Sequence, residues 1–440
     1  MKKQTRFIIA APTSNAGKTS ISLGLMRAFL NRGKKVQAFK CGPDYIDPKF
    51  HELATGKPSF NLDLIMMSEP HVQELLETHS KDVDVAIVEG VMGMFDGAQR
   101  SQGSSAEVSK TIDVPVVLVV NAQSVAYSVA PLLHGFKTFD PSVKIAGVIF
   151  NKVNTESHFR FLKEACEDIE MECFGYMKNL SQVEIPSRHL GLSIAELDQY
   201  DSVIDELAKG IEDTVNLEAL MNATEQEIKD VPKEEVNENH SKLKIAVAKD
   251  EAFNFIYAQN LIQFQKQGEV TFFSPLADKE IPNCDLLYLP GGYPECYLQQ
   301  LSGNIEMKAS ILKYAEQGGK ILAECGGFMY LGSSIEDDDE RNYEMVGALK
   351  STTSMKQRKM HLGYRKVSVD NEELRGHEFH YSSLTSSENT TIGETKNIRD
   401  EPVLMQLFKE KGILASYHHF YFGTGAQFER IYRWITKLEL

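Results

Sequence analysis

The stretch Phe7-Ile8-Ile9-Ala10-Ala11-Pro12-Thr13-Ser14-Asn15-Ala16-Gly17-Lys18-Thr19 decides how the first half of the chain is read. A short apolar run enters a Gly-Lys-Thr loop and then an amphipathic segment, the strand-loop-helix order a phosphate cradle requires. In such a loop the backbone N–H groups and the helix start supply partial positive charge. Lys18 adds a full charge, and the Thr19 hydroxyl can ligate magnesium. Asn15, Ala16 and Gly17 complete the candidate nucleotide cradle. The strict GxxxxGK[ST] pattern fails, because Ala11 or Pro12 stands where its first glycine belongs. Lys2 and Lys3 ahead of the apolar run superficially suggest a secretion signal. The run is too short for one and leads into the loop, so it reads as a first core strand.

Working outward, short β-branched runs alternate with amphipathic segments, the pattern of a parallel sheet covered by helices on both faces. Strands are expected at Phe7 to Ala11, Val36 to Lys40, Val85 to Glu89, Val114 to Val120 and Ile145 to Phe150, with helices after Lys18 and over His158 to Ile169. Lys40-Cys41-Gly42-Pro43-Asp44-Tyr45-Ile46-Asp47 follows the second strand, at the carboxyl edge of the sheet where ligands bind. Glu89 ends the next strand, placed to hold magnesium or its water. Asp44, Asp47, Asp63, Glu89 and Asp96 are too many acids for one nucleotide's metal, so some are expected to orient substrate.

From about Val215 to Lys242 the composition turns to Glu, Asn and Lys, which reads as an exposed acidic linker between domains at 1–214 and 243–440. Beyond it, strands are expected at Lys244 to Ala248, Asp285 to Leu289 and Lys320 to Ala323. Glu324-Cys325-Gly326-Gly327 then resembles a nucleophile elbow, with helix N–H groups expected to lower the thiol pKa. The turn Leu289-Pro290-Gly291-Gly292-Tyr293 can aim a second N–H at the same point, giving Gly292 and Gly326 as oxyanion donors. A thiolate needs a base, and His418 and His419 are both available.

The formal charge of -15 and pI near 5.4 argue against nucleic-acid or anionic-membrane partners, which need clustered Lys and Arg. An anionic substrate must then find local cations. Arg100 and Arg188 are the candidates for pairing with its carboxylates. The six cysteines show no zinc spacing or disulfide framework, which fits a reducing cytoplasm. No stretch approaches the ~20 apolar residues of a membrane helix.

Together, Phe39-Lys40-Cys41-Gly42-Pro43-Asp44-Tyr45-Ile46-Asp47-Pro48, Asn61-Leu62-Asp63, Val88-Glu89-Gly90 and the Cys325 elbow resemble the cobyrinate a,c-diamide synthase family. The match runs in the same order through nearly the whole chain outside the linker. It implies two α/β domains: a P-loop, dethiobiotin-synthetase-like parallel-sheet domain, then a class I glutamine amidotransferase-like (flavodoxin-like) domain. The family amidates the a and c acetates of cobyrinate with ATP and glutamine, so magnesium with ATP is the implied cofactor and a homodimer the candidate assembly. By that likeness Thr19, Asp44 and Glu89 serve the metal, and Lys40 stabilises the transferred phosphoryl group. Asn151 would read adenine. The family's Ser-Tyr-x-His pattern selects His419 as base, while Tyr421 stands where class I enzymes often carry a Glu. Amidation of nickel sirohydrochlorin or hydrogenobyrinate would use the same motifs. A cobyric-acid-synthase-like enzyme resembles the chain less around Lys40 to Pro48. A nucleotide-dependent switch or partitioning protein would have no need of Cys325 and His419.

Overall fold

The computed structural model describes residues 3–179, 198–228, 242–356 and 358–437. Arg188 and residues 229–241 of the expected linker lie outside the described residues. The chain divides into two compact units, the first closing after the strand Glu225–Glu227 and the second beginning with the strand Leu243–Ala248.

In the first unit the strands are β1 (Lys3–Ala10), β2 (Val36–Cys41), β3 (Phe60–Leu62), β4 (Val85–Glu89), β5 (Val116–Asn121), β6 (Ile145–Asn151), β7 (Cys173–Tyr176) and β8 (Glu225–Glu227). The first seven form a parallel sheet in the order β3-β2-β4-β1-β5-β6-β7. β2 and β4 are buried along their whole length, as a sheet covered on both faces demands. Chain direction thus carries the ends of β1, β2 and β4 to one edge. Helices α1 (Lys18–Asn31) and α2 (Asp47–Thr55) start there. The expected helix at His158 to Ile169 is present as Glu156–Asp168.

The linker expectation fails over residues 215–227. Asn216 caps a helix at Leu217–Thr224, its side chain accepting from Ala219 N at 3.0 Å, and Leu217 and Leu220 are buried. β8 then pairs antiparallel with the start of β1, Thr5 against Glu225. The polar composition belongs to the exposed side of an amphipathic helix whose leucines face the core.

In the second unit β9 (Leu243–Ala248), β10 (Phe253–Phe255), β11 (Gly268–Phe273), β12 (Leu286–Leu289), β13 (Gly291–Gly292) and β14 (Ile321–Glu324) appear in chain order. β11-β9-β12-β14 run parallel, and the strand Ile413–Ser416 continues beside β14 in the same direction. A separate antiparallel sheet holds Glu394–Asn397, His361–Val369, Glu372–His380 and His418–Phe420. Its last pairing sets His377 directly across from His419. Among the described residues, no helix is long and apolar enough to cross a membrane.

Candidate active sites

The phosphate loop leaves β1 and ends at Gly17, whose φ of +97° is left-handed. A Cβ there would lie 1.9 Å from Asn151 Nδ2, so only glycine fits. Asn151 donates from Nδ2 to the Ala16 carbonyl at 3.0 Å, and its Oδ1 accepts from Lys152 N at 2.9 Å. The structure therefore shows the expected adenine reader bracing the loop. Lys18 Nζ donates to the Met92 carbonyl at 2.5 Å, and Asn15 holds a left-handed φ of 59°.

Thr19 donates to Glu89 Oε1 at 2.6 Å, which joins the loop to the end of β4. Glu89 is fully buried and also meets Lys40 Nζ at 3.0 Å and His51 Nε2 at 2.9 Å. Lys40 reaches Asp47 at 2.5 Å as well. Burial alone would push the Glu89 carboxyl up. Lys40, then His51 and Thr19, outweigh it and hold the group well below the carboxylate range. Burial would likewise lower the Lys40 ammonium, but Asp47 and Glu89 raise it on balance. Asp47 itself is pushed up, by burial first and then by Asp44. Carboxylates outnumber the buried lysine here, and the hydroxyl and carboxylate oxygens of Thr19, Asp44 and Glu89 are the hard donors magnesium takes.

Asp44, Asp63 and Asp96 also brace the backbone. Asp44 Oδ1 accepts from Ile46 N at 2.8 Å and Asp47 N at 3.1 Å, closing the turn into α2. Asp63 accepts from Ile65 N at 2.8 Å and Met66 N at 2.9 Å, and Asp96 from Gly93 N at 3.0 Å. Arg100 is exposed, with a left-handed φ of 52°. Sequence reasoning missed His51 and gave Asn61, quoted within a motif, no role of its own. His51 lies one helical turn after Asp47, a spacing that places both on one face of α2. Asn61 donates to the carbonyls of Gly42 and Asp44, both at 2.9 Å, and so pins the Lys40 to Asp47 loop.

In the second unit β14 delivers Cys325 at φ 46°, ψ -103°, a backbone region that a non-glycine residue rarely occupies. A helix at Gly326–Leu331 follows at once. A Cβ on Gly326 would fall 3.1 Å from Gly292 N, so the two expected oxyanion donors are neighbours. Gly292 borders a small pocket lined by Phe255, Glu295, Cys325, His380 and Ser382 among others. A Cβ on Gly291 would meet His419 Cε1 at 2.3 Å and Cys325 Cβ at 3.3 Å, so the imidazole and the thiol-bearing carbon share one cleft. His418 is turned elsewhere, its Nδ1 2.7 Å from Ser416 Oγ.

The thiol departs from expectation. Burial, then Glu295, push Cys325 well above its ordinary pKa, and the Gly326 N–H only partly offsets them. A six-residue helix exposes too little aligned dipole to win against full desolvation. His419 is driven the other way, by burial and the adjacent His377, and stays neutral. Both groups are therefore uncharged at rest, and a proton must pass from sulfur to imidazole when attack begins.

Tyr421 is fully buried and packs edge-on against Tyr257, with centroids 5.8 Å apart. Tyr257 Oη lies 2.9 Å from His377 Nδ1, and His377 stacks on His419 at 4.9 Å. An aromatic stack thus backs the base where the sequence offers no Glu. Glu324, pushed up to about 8 by burial, accepts from Phe420 N at 3.0 Å and fixes the strand that carries His419. His361, Glu378 and His380 bring possible metal-ligand atoms within 4.8 Å of one another. His380, however, faces the Ser382 carbonyl and the Glu378 carboxylate, both at 2.8 Å, and Glu378 also meets Arg365 at 2.5 Å. The cluster is thus a hydrogen-bonded network built around the Arg365–Glu378 ion pair.

Residues 7–192 match the CobQ/CobB/MinD/ParA nucleotide binding domain, and residues 244–427 the CobB/CobQ-like glutamine amidotransferase domain. The chain is 39% identical to a cobyrinate a,c-diamide synthase of Streptococcus sanguinis, over 96% of this chain and 97% of that protein. A cobyrinate a,c-diamide synthase of Caldanaerobacter subterraneus is 40% identical, over 94% of each chain. One from Priestia megaterium is 37% identical, over 98% of this chain and 96% of that protein.

Proposed function

The chain belongs to the cobyrinate a,c-diamide synthase family, and from that premise we propose that it amidates the a and c acetate carboxylates of cobyrinate through acyl phosphate intermediates. It is a glutamine-dependent carbon-nitrogen ligase of cobalamin biosynthesis, built from two α/β domains. The observation that carries the proposal is the Thr19–Glu89–Lys40 network at the end of the phosphate loop, in a chain that also sets Cys325 against His419.

A carboxylate resists amidation because hydroxide or oxide is a poor leaving group. Transfer of the γ-phosphoryl group of ATP to the acetate oxygen makes phosphate the leaving group. Lys18 and the loop N–H groups cradle the phosphates, while Lys40, held charged by Asp47 and Glu89, faces the transferred group. Thr19, Asp44 and Glu89 would hold magnesium, which when bound offsets charge on the nucleotide's phosphates. For nitrogen, His419 takes the Cys325 proton as sulfur attacks the glutamine side-chain amide. Gly292 and Gly326 N–H groups receive the developing oxyanion, and ammonia leaves as the thioester forms. Water then releases glutamate, and ammonia displaces phosphate from the acyl phosphate.

The test is incubation of the purified protein with ATP, magnesium, glutamine and, separately, cobyrinate, hydrogenobyrinate and nickel sirohydrochlorin, with products read by mass. Cobyrinate carrying amides at both a and c is expected. Amidation confined to either of the other acids would replace the substrate, and no amidation of any acid would overturn the reading.

A further inference from the structure

The pocket beside Cys325 contains a group that thioester chemistry does not use. Glu295 sits in the short turn Pro294–Cys296, three residues after the oxyanion glycine Gly292. That turn is pressed onto the nucleophile's own helix, since a Cβ on Gly326 would lie 2.9 Å from Pro294 Cδ. Glu295 lines the same pocket as Cys325, together with His380, Tyr381 and Ser382, and it is the one carboxylate among the lining residues. A carboxylate set in the wall of a small pocket beside a thiol works against thiolate formation. It earns its place only if something cationic is meant to face it.

Resting on the glutamine-hydrolysing reading of this pocket, we infer that Glu295 recognises the α-ammonium of the amide donor and thereby selects an amino-acid amide over a plain one. The pairing also removes the negative charge that faces Cys325, so the donor assists its own attack. Glutamine is the only partner of the reaction that brings a cation into this pocket, and a charge-assisted N–H to carboxylate bond suits it. The surrounding groups leave Glu295 available for this. Arg358 is bonded to Asp338, with Nε to Oδ1 at 2.9 Å, and comes after the Glu295 backbone N–H among the groups that favour the Glu295 carboxylate. Burial pushes the Glu295 carboxyl up to about 7, as for an acid short of a close cation, with Asp338 adding to the rise. Tyr417 and Cys325 both feel its charge, in keeping with the place of Glu295 in the same pocket wall as Cys325.

The experiment compares hydrolysis of glutamine with that of glutaramate, which keeps the amide and the carboxylate but lacks the ammonium. It uses the full chain and its Glu295→Gln and Glu295→Asp variants, each checked for an unchanged thermal midpoint. Wild type is expected to favour glutamine in kcat/KM by roughly tenfold or more, the range of one hydrogen bond to a charged group. Glu295→Gln should lose that preference by slowing glutamine while glutaramate stays within about twofold, and Glu295→Asp should recover part of it. Equal losses on both substrates, an unchanged preference, or a wild type that does not favour glutamine would each overturn the inference. A wild type that hydrolyses neither amide would instead overturn the glutamine-dependent reading on which the inference rests.

Discussion

The phosphate-loop site and the thiol site solve opposite electrostatic problems. Around Glu89 charges are buried together: Lys40 lies 2.5 Å from Asp47 and 3.0 Å from Glu89, so desolvation is offset by attraction. Around Cys325 the reacting pair itself carries no charge: thiol and imidazole are both buried neutral, pushed apart in pKa by the same desolvation. The first site holds its charges ready for a substrate that arrives highly charged. The second creates charge only when a substrate is in place, which keeps an idle thiolate from reacting with whatever enters.

Four substitutions or conditions can break that contrast. The largest effect is expected from Lys40→Ala, which leaves the carboxylates of Asp47 and Glu89 without their shared lysine and should lower unfolding free energy by about 3–5 kcal/mol while abolishing synthesis. Cys325→Ala, measured by the same denaturant titration, should cost far less, because no charge is left unpaired. Equal losses would erase the distinction. Next, Lys18→Ala should lower kcat/KM for synthesis about a hundredfold or more with either glutamine or ammonium as nitrogen source, since one such contact to a transferring phosphoryl group contributes ~3 kcal/mol. Normal ammonium-dependent turnover in that variant would remove the loop from the chemistry.

The third test uses pH. Burial holds His418 down to about 4, below the ordinary histidine value of about 6.5. A folded-state pKa below the unfolded one gives stability that is full above about 6.5 and is lost as pH falls toward 4, because the unfolded chain binds the proton first. The thermal midpoint should therefore drop across that window, by the equivalent of roughly 3 kcal/mol from this residue, and His418→Gln should flatten the drop. A midpoint with the same pH slope in the variant would contradict the buried-neutral assignment. Smallest is Gly291→Ala: its Cβ would crowd His419 Cε1 and should slow glutamine-dependent turnover about tenfold to a hundredfold, leaving ammonium-dependent synthesis intact.

The sequence made the strands, the phosphate loop and the cysteine elbow legible because each rests on local pattern: β-branched runs, Gly-Lys-Thr, Cys-Gly-Gly. What it hid depends on distance in the fold. The helix Leu217–Thr224 looked like part of a linker because polar residues follow it in sequence and the strand that pairs with the next element β8, β1, is at the start of the chain. The Cys325 pKa was expected to fall, because the flanking helix start is visible in sequence while the burial that outweighs it is not. His51 and Glu295 carried faint signals, one helical turn after Asp47 and three residues after Gly292. Neither belongs to a motif by itself.

The central claim is that one unit makes ammonia and the other spends it on an activated carboxylate. It is tested most directly by assaying Cys325→Ser for tetrapyrrole amidation first with glutamine and then with saturating ammonium, in the presence of ATP and magnesium. Loss of the glutamine-dependent activity with the ammonium-dependent rate near wild type is the predicted result. Loss of both in a folded protein would contradict the division of labour.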